Sequence, residues 1–191
     1  MFQRPLLLTA ALVVAAACSN QPTSQLSRLN ADILDGSSGG NPHFFFLPPM
    51  VGNPGTGTAN DATVSPEVQI CQWDGASCVF ILANYTTDLA TTTSTQPGNS
   101  ETVHRSDAHF NVDWHTENFP LDPTATYRVC VKLNGVELGF ADVDLAASGR
   151  ELRVVADGYI GVLDGRTLPI VFRIEPGAQD AGGGNCGGQP V

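Results

Sequence analysis

Basic residues are scarce in this 191-residue chain: 9 Lys and Arg stand against 19 Asp and Glu, a net charge of −10 with His neutral. A chain this acidic, without a basic cluster, cannot grip a phosphate backbone, so nucleic-acid partners are excluded. An anionic membrane surface would repel it for the same reason. The longest apolar run, residues 6–17, is too short to cross a bilayer, which takes about 20 apolar residues. No segment holds a helical period for three turns, which leaves little room for a helical domain. No C-x-x-C spacing and no companion His pair support a zinc site. No internal repeat is visible.

What the chain does have begins at its first residues. One positive charge at Arg4, a short greasy stretch and the run Ala15-Ala16-Ala17-Cys18 have the layout of an export signal. The run resembles the lipobox of bacterial lipoproteins, which implies cleavage after residue 17 and lipid on Cys18. Losing residues 1–17 removes Arg4 and no acid, so 8 basic and 19 acidic residues remain and the charge becomes −11. Attachment to a membrane would then rest on the acyl chains, each contributing about 0.8 kcal/mol per buried methylene. Ser19 in place of Asp directs such a protein to the outer rather than the inner membrane under the enteric sorting rule.

About 170 residues would follow the leader, enough for one domain that buries roughly 70% of its unfolded surface. Residues 18–42 are rich in Ser, Asn, Gln and Gly and read as a lipidated flexible tether. Residues 176–191 read as a disordered Gly-rich tail. The folded part is therefore expected at 43–175. Its apolar segments are short and β-branched or aromatic: 43–47, 64–73, 79–83, 110–114, 127–131, 140–145, 152–156, 159–163 and 168–174. Turn pairs punctuate them at Asp74-Gly75, Asn134-Gly135, Asp157-Gly158 and Asp164-Gly165. This is the pattern of an all-β sandwich or barrel. Residues 86–102 read as a long exposed loop or a ragged edge strand.

The run Leu121-Asp-Pro123-Thr-Ala-Thr-Tyr127-Arg-Val129-Cys-Val131 resembles the corner between the fifth and sixth strands of fibronectin type III and related immunoglobulin-like domains. The resemblance implies an antiparallel β-sandwich in which Leu121 plugs the core, Pro123 fixes the corner and Tyr127 returns its hydroxyl to the backbone upstream. An immunoglobulin domain places its core cysteine two residues after this Tyr, where Val129 stands here. Cys130 has the opposite parity to Tyr127 and should face away from the core. Over a longer span the chain resembles uncharacterised surface domains of environmental bacteria. The pieces that carry this are Phe45-Phe-Leu-Pro-Pro49, the hairpin around Cys71 and Cys78, Val112-Asp-Trp-His-Thr116, Tyr127-Arg-Val129, Leu138-Gly-Phe-Ala-Asp-Val-Asp144, Asp164-Gly-Arg-Thr-Leu-Pro-Ile170 and Phe172-Arg-Ile-Glu175. That resemblance implies a domain and no activity.

Four cysteines besides Cys18 suit an oxidising compartment, although four allow three connectivities. Cys71 and Cys78 flank a hairpin loop and are expected to pair. Cys130 is then left for Cys186, tying the tail across an outer face, unless Cys186 stays free or joins another chain.

One strand carries the only constellation of chemical interest. Alternation points Phe110, Val112 and Trp114 inward and sets Asp107, His109, Asn111, Asp113, His115 and Glu117 on the outer face. This is either a solvated sheet face or a site for a divalent metal or polar ligand, with His109, Asp113 and His115 the candidate ligands. His109 and His115 are too far apart on a straight strand to chelate one ion, whereas Asp113 with His115 could do so with help from an adjacent strand. Asp142 and Asp144 flank Val143 and read as a strand face or a calcium contact. Residues 36–40 spell G-x-S-x-G but lack the strand and helix of a nucleophile elbow. Asn84-Tyr-Thr86 is a sequon by spelling only. Trp73 is either an exposed contact for sugar or protein or packs over the neighbouring disulfide.

The sequence therefore points to a lipid-anchored, extracytoplasmic, non-catalytic binding or structural module of the cell envelope. It needs no cofactor, and its partner is an envelope protein or glycan. The alternative is a metal-assisted hydrolase or metal-binding protein using the Asp113/His115 face. A third reading is a passive subunit docked in a larger envelope complex through its acidic surface.

Overall fold

The computed structural model describes residues 33–55, 57–96, 101–152, 158–184 and 186–187, all within one compact unit, Ala31–Val191. The leader, Cys18 and the segment expected as a strand at 152–156, apart from Leu152, lie outside the described residues. The described chain forms two β-sheets, antiparallel but for one strand pair, packed face to face as the alternating segments required.

In chain order the strands are β1 (Ile33–Leu34), β2 (Phe44–Phe46), β3 (Pro66–Trp73), β4 (Cys78–Tyr85), β5 (Thr93–Ser94), β6 (His104–Arg105), β7 (Phe110–His115), β8 (Thr126–Leu133), β9 (Val136–Ala146), β10 (Ile160–Leu163) and β11 (Thr167–Ile174). The larger sheet runs β1-β9-β8-β3-β4-β5, with β10 parallel to the second half of β9. The smaller runs β2-β11-β7-β6. In an immunoglobulin sandwich the place between the first and fifth strands belongs to the second strand. Here β11, the last in the chain, takes that place. The corner motif thus reports a sandwich without reporting its strand order.

Period-two patterning explains the core. Along β7 burial alternates strictly, with Phe110, Val112 and Trp114 fully inside. Phe44, Phe46, Ile170 and Phe172 from the same sheet face Val68, Ile70, Val129, Val131 and Leu138 from the other, all at 0% exposure. The two layers touch where Trp114 meets Tyr127 edge-on, ring centroids 5.8 Å apart. Close approach of the sheets leaves no room for a side chain at Gly139, where a Cβ would collide with the Phe44 ring and the Leu34 carbonyl.

Tyr127 makes the expected corner. Its ring is buried, its hydroxyl accepts a hydrogen bond from the Asp122 N–H at 2.7 Å and donates to the Asp122 carbonyl at 3.3 Å. Burial pushes the phenol pKa up, so the donor stays protonated. Leu121 is half-buried against the core, whereas Pro123 is exposed. Tyr127→Phe is expected to cost about 1 kcal/mol, the net worth of such a bond, read as a lowered urea midpoint. An unchanged midpoint would show that the corner does not depend on the hydroxyl.

Two boundaries differ from expectation. Residues 33–42 belong to the domain, not to a tether. Asp35, 2% exposed, accepts hydrogen bonds at Oδ1 from the Ser37 and Ser38 N–H groups and the Ser38 hydroxyl, and at Oδ2 from the Phe46 N–H. One carboxylate thereby closes the Gly-Ser-rich turn onto β2, and Ser38 sits in that turn rather than at any elbow. The tail is likewise docked as far as it is described. A single helical turn, Ala178–Ala181, buries Ala178, whose carbonyl accepts from Asn41 Nδ2 at 2.7 Å. Gly184 then donates to the Glu137 carbonyl, and Cys186 is fully buried. Composition suggested disorder, and cross-chain anchors override it.

Candidate functional site

Of the expected polar face, Asn111, Asp113 and His115 lie on β7, whereas Asp107 and His109 fall in the β6–β7 turn and Glu117 in the short 3-10 turn after the strand, because β7 spans only Phe110–His115. His109 lies in the β6–β7 turn, where its N–H and carbonyl are bonded to Ser106. Asp113 stands opposite Pro169 on β11. His115 Nδ1 lies 2.8 Å from the Thr167 hydroxyl and 3.6 Å from Glu117, while Nε2 lies 3.3 Å from Glu101. No group of three potential metal ligands forms around His109, Asp113 or His115 among the described residues. Cys130, Glu137 and Cys186 do come together, but the two sulfurs are bonded to each other and Glu137 Oε2 accepts from the Cys186 N–H at 2.8 Å.

Both disulfides stand on the outer face of the larger sheet. Cys71 is bonded to Cys78 and Cys130 to Cys186, with Cα separations of 5.5 and 5.7 Å. Cys130 points away from the main core into a small cluster with Phe140, Cys186 and Leu34, as its parity required.

Between the two bridges lies a feature that sequence reasoning missed. The Arg128 guanidinium is stacked between Trp73 and Phe140, 3.4 and 3.7 Å from their centroids. It donates through Nε to Asp142 Oδ1 at 2.6 Å and through Nη2 to Oδ2 at 2.8 Å. Arg128 is 5% exposed and Asp142 3%. Asp142 is therefore a structural counter-ion, neither a solvated face nor a calcium contact, and Asp144 accepts from the Thr126 hydroxyl. The signal was present in register alone: Arg128 and Asp142 are directly opposed on β8 and β9. Trp73 packs between the bridges; Gly187 presses on its ring so closely that a Cβ there would collide.

The β3–β4 hairpin beyond this stack is braced and apolar. The Asp74 carboxylate accepts from the Ala76 and Ser77 N–H groups at 2.8 Å each, and Gly75 takes the positive φ of 95° that the tip demands. The first residues of β4 then expose Val79 and Phe80 by 50% and 54%. Two open grooves flank them. One, of about 440 Å³, is walled by Trp73, Asp74, Val79, Asp122 and Tyr159. The other, of about 290 Å³, is walled by Phe80, Leu82, Gln96, Leu121 and Asp122. Backbone N–H groups of Ser77 and Ala76 hold the Asp74 carboxyl below its ordinary range, and the Thr124 hydroxyl and N–H do the same for Asp122, so both rims are anionic at neutral pH.

An exposed apolar pair on a braced hairpin beside concave surface is the arrangement of a contact site. None of the described helices is long and apolar enough to cross a membrane. Comparisons of the chain with protein-family models, with curated proteins and with solved structures give no match.

Proposed function

We propose that this protein is a lipid-anchored, non-catalytic binding module on the outer side of the membrane, which engages an envelope partner through the β3–β4 end of its sandwich. The observation that carries the reading is the exposed Val79–Phe80 pair on a hairpin held by a disulfide and flanked by two grooves. Exposed apolar side chains beside concave surface mark contact sites, and a preformed hairpin loses little entropy on docking. Two disulfides fit an oxidising compartment, in keeping with a leader ending at Cys18.

Two experiments test this. Cells fed an alkyne-bearing palmitate should label the wild-type chain and not Cys18→Ser; equal label on both overturns the anchor. A photocrosslinking amino acid at position 80 should give one discrete adduct in cells, and the same group at exposed position 107 on the other sheet should give none. Equal yields from both positions overturn the assignment of the binding surface.

A further inference from the structure

We infer that the free edge of β4 is a docking strip for an extended, basic peptide segment of a protein partner, added as a further strand. The inference rests on the binding-module reading and specifies its partner. β5 pairs only with Ala83 and Asn84, and Thr95 donates to the Leu82 carbonyl. Residues 78–81 therefore have β3 on one side and, among the described residues, no strand on the other. An edge strand with its backbone groups free is a template for another chain. Most proteins blunt such an edge with charge, whereas this one carries Val79 and Phe80 on it.

Alternation does the rest. Phe80 lines the smaller groove, which reaches Leu82, Thr95 and Gln96 on the open side of β4, so every second side chain of an added strand would face it, while Val79 stands at the mouth of the larger groove, which runs back under β3 and β8. Asp122 borders both grooves and Asp74 the larger, and no Lys, Arg or His is among the residues that line either. An incoming segment with basic side chains on one face and apolar ones on the other matches that wall in charge and in period. A second copy of this chain does not, since it would bring the same acidic rim and a strongly negative net charge, −10 for the full chain and −11 without residues 1–17. A sugar is a poorer occupant too, because one face of the Trp73 ring is covered by Arg128 and its edge by Gly187.

The test is fluorescence anisotropy with the full chain in detergent micelles. The probes are a labelled ten-residue peptide alternating Arg and Val, and matched peptides with Ser or Glu in place of Arg. The Arg peptide is expected to bind at least tenfold more tightly than the Ser peptide, and the Glu peptide more weakly than either. Asp74→Asn with Asp122→Asn keeps the acceptors that hold both turns and should erase most of that preference, about tenfold. Asp107→Asn with Asp113→Asn, on the other sheet, should leave it unchanged. Phe80→Ser, at an exposed position, should weaken all three peptides. Equal binding of the Arg and Ser peptides, equal loss from the two Asn pairs, or no binding at all overturns the basic partner. Competition by a neutral oligosaccharide overturns the peptide assignment. The underlying reading falls separately, through the crosslinks from position 80.

Discussion

Asp142→Ala is expected to lower stability by about 3–5 kcal/mol, the usual cost of stripping one partner from a buried ion pair. It removes the carboxylate that accepts from Nε and Nη2 of a guanidinium 5% exposed and stacked between two rings. For a domain of this size the fall corresponds to a melting temperature lower by on the order of 10 °C. Because the pair is buried, the loss should hardly change between low and high salt, unlike that of a surface bridge. Replacing both partners together, as Arg128→Met with Asp142→Leu, should recover most of the stability, since no charge is then left unpaired. Asp142→Ala within about 1 kcal/mol of wild type would show that the ion pair is not what holds the stack together.

Loss of the longer disulfide, by Cys130→Ser with Cys186→Ser, should be comparable. The bridged residues are 56 apart in sequence, and loop-closure entropy for such a span is about 4 kcal/mol. The Cys71–Cys78 pair spans only 7 and is worth about 2 kcal/mol on the same reasoning. The longer bridge also holds the tail over Trp73, so the double variant should become sensitive to limited proteolysis within residues 177–184. Urea midpoints give the ranking and mass spectrometry of the digest gives the site. A larger loss from Cys71→Ser with Cys78→Ser would mean that the hairpin, rather than the tail, is the fragile element.

Much of the sandwich was legible along the chain because each strand is half-buried and each turn pair is local. Alternation at 110–115 fixed which side of β7 faces the core, and Asn134-Gly135 marked the β8–β9 hairpin, where both residues take positive φ. The parity of Cys130 against Tyr127 placed that cysteine outside the core before any partner was known. Less was legible where meaning depends on residues far apart. Residues 33–42 look like a tether by composition, yet Asp35 gathers donors as distant as the Phe46 N–H. The tail looks disordered by composition, yet Asn41, Glu137 and Cys130 each hold a part of it. The candidate binding strip escaped notice because Val79 and Phe80 sit in an apolar run that reads as buried. Only the short reach of β5 leaves them uncovered.

By itself, then, the order of residues determined the all-β class, the inward and outward faces, the corner at Tyr127 and the acidic surface. These follow from short-range rules of backbone geometry and of charge count. Tertiary structure alone decided that β11 lies between β2 and β7, that Arg128 meets Trp73, Phe140 and Asp142 at one point, and that no described strand pairs with the outer edge of residues 78–81. Those outcomes depend on which strands become neighbours, a choice made by packing two layers against each other and not written in any single segment.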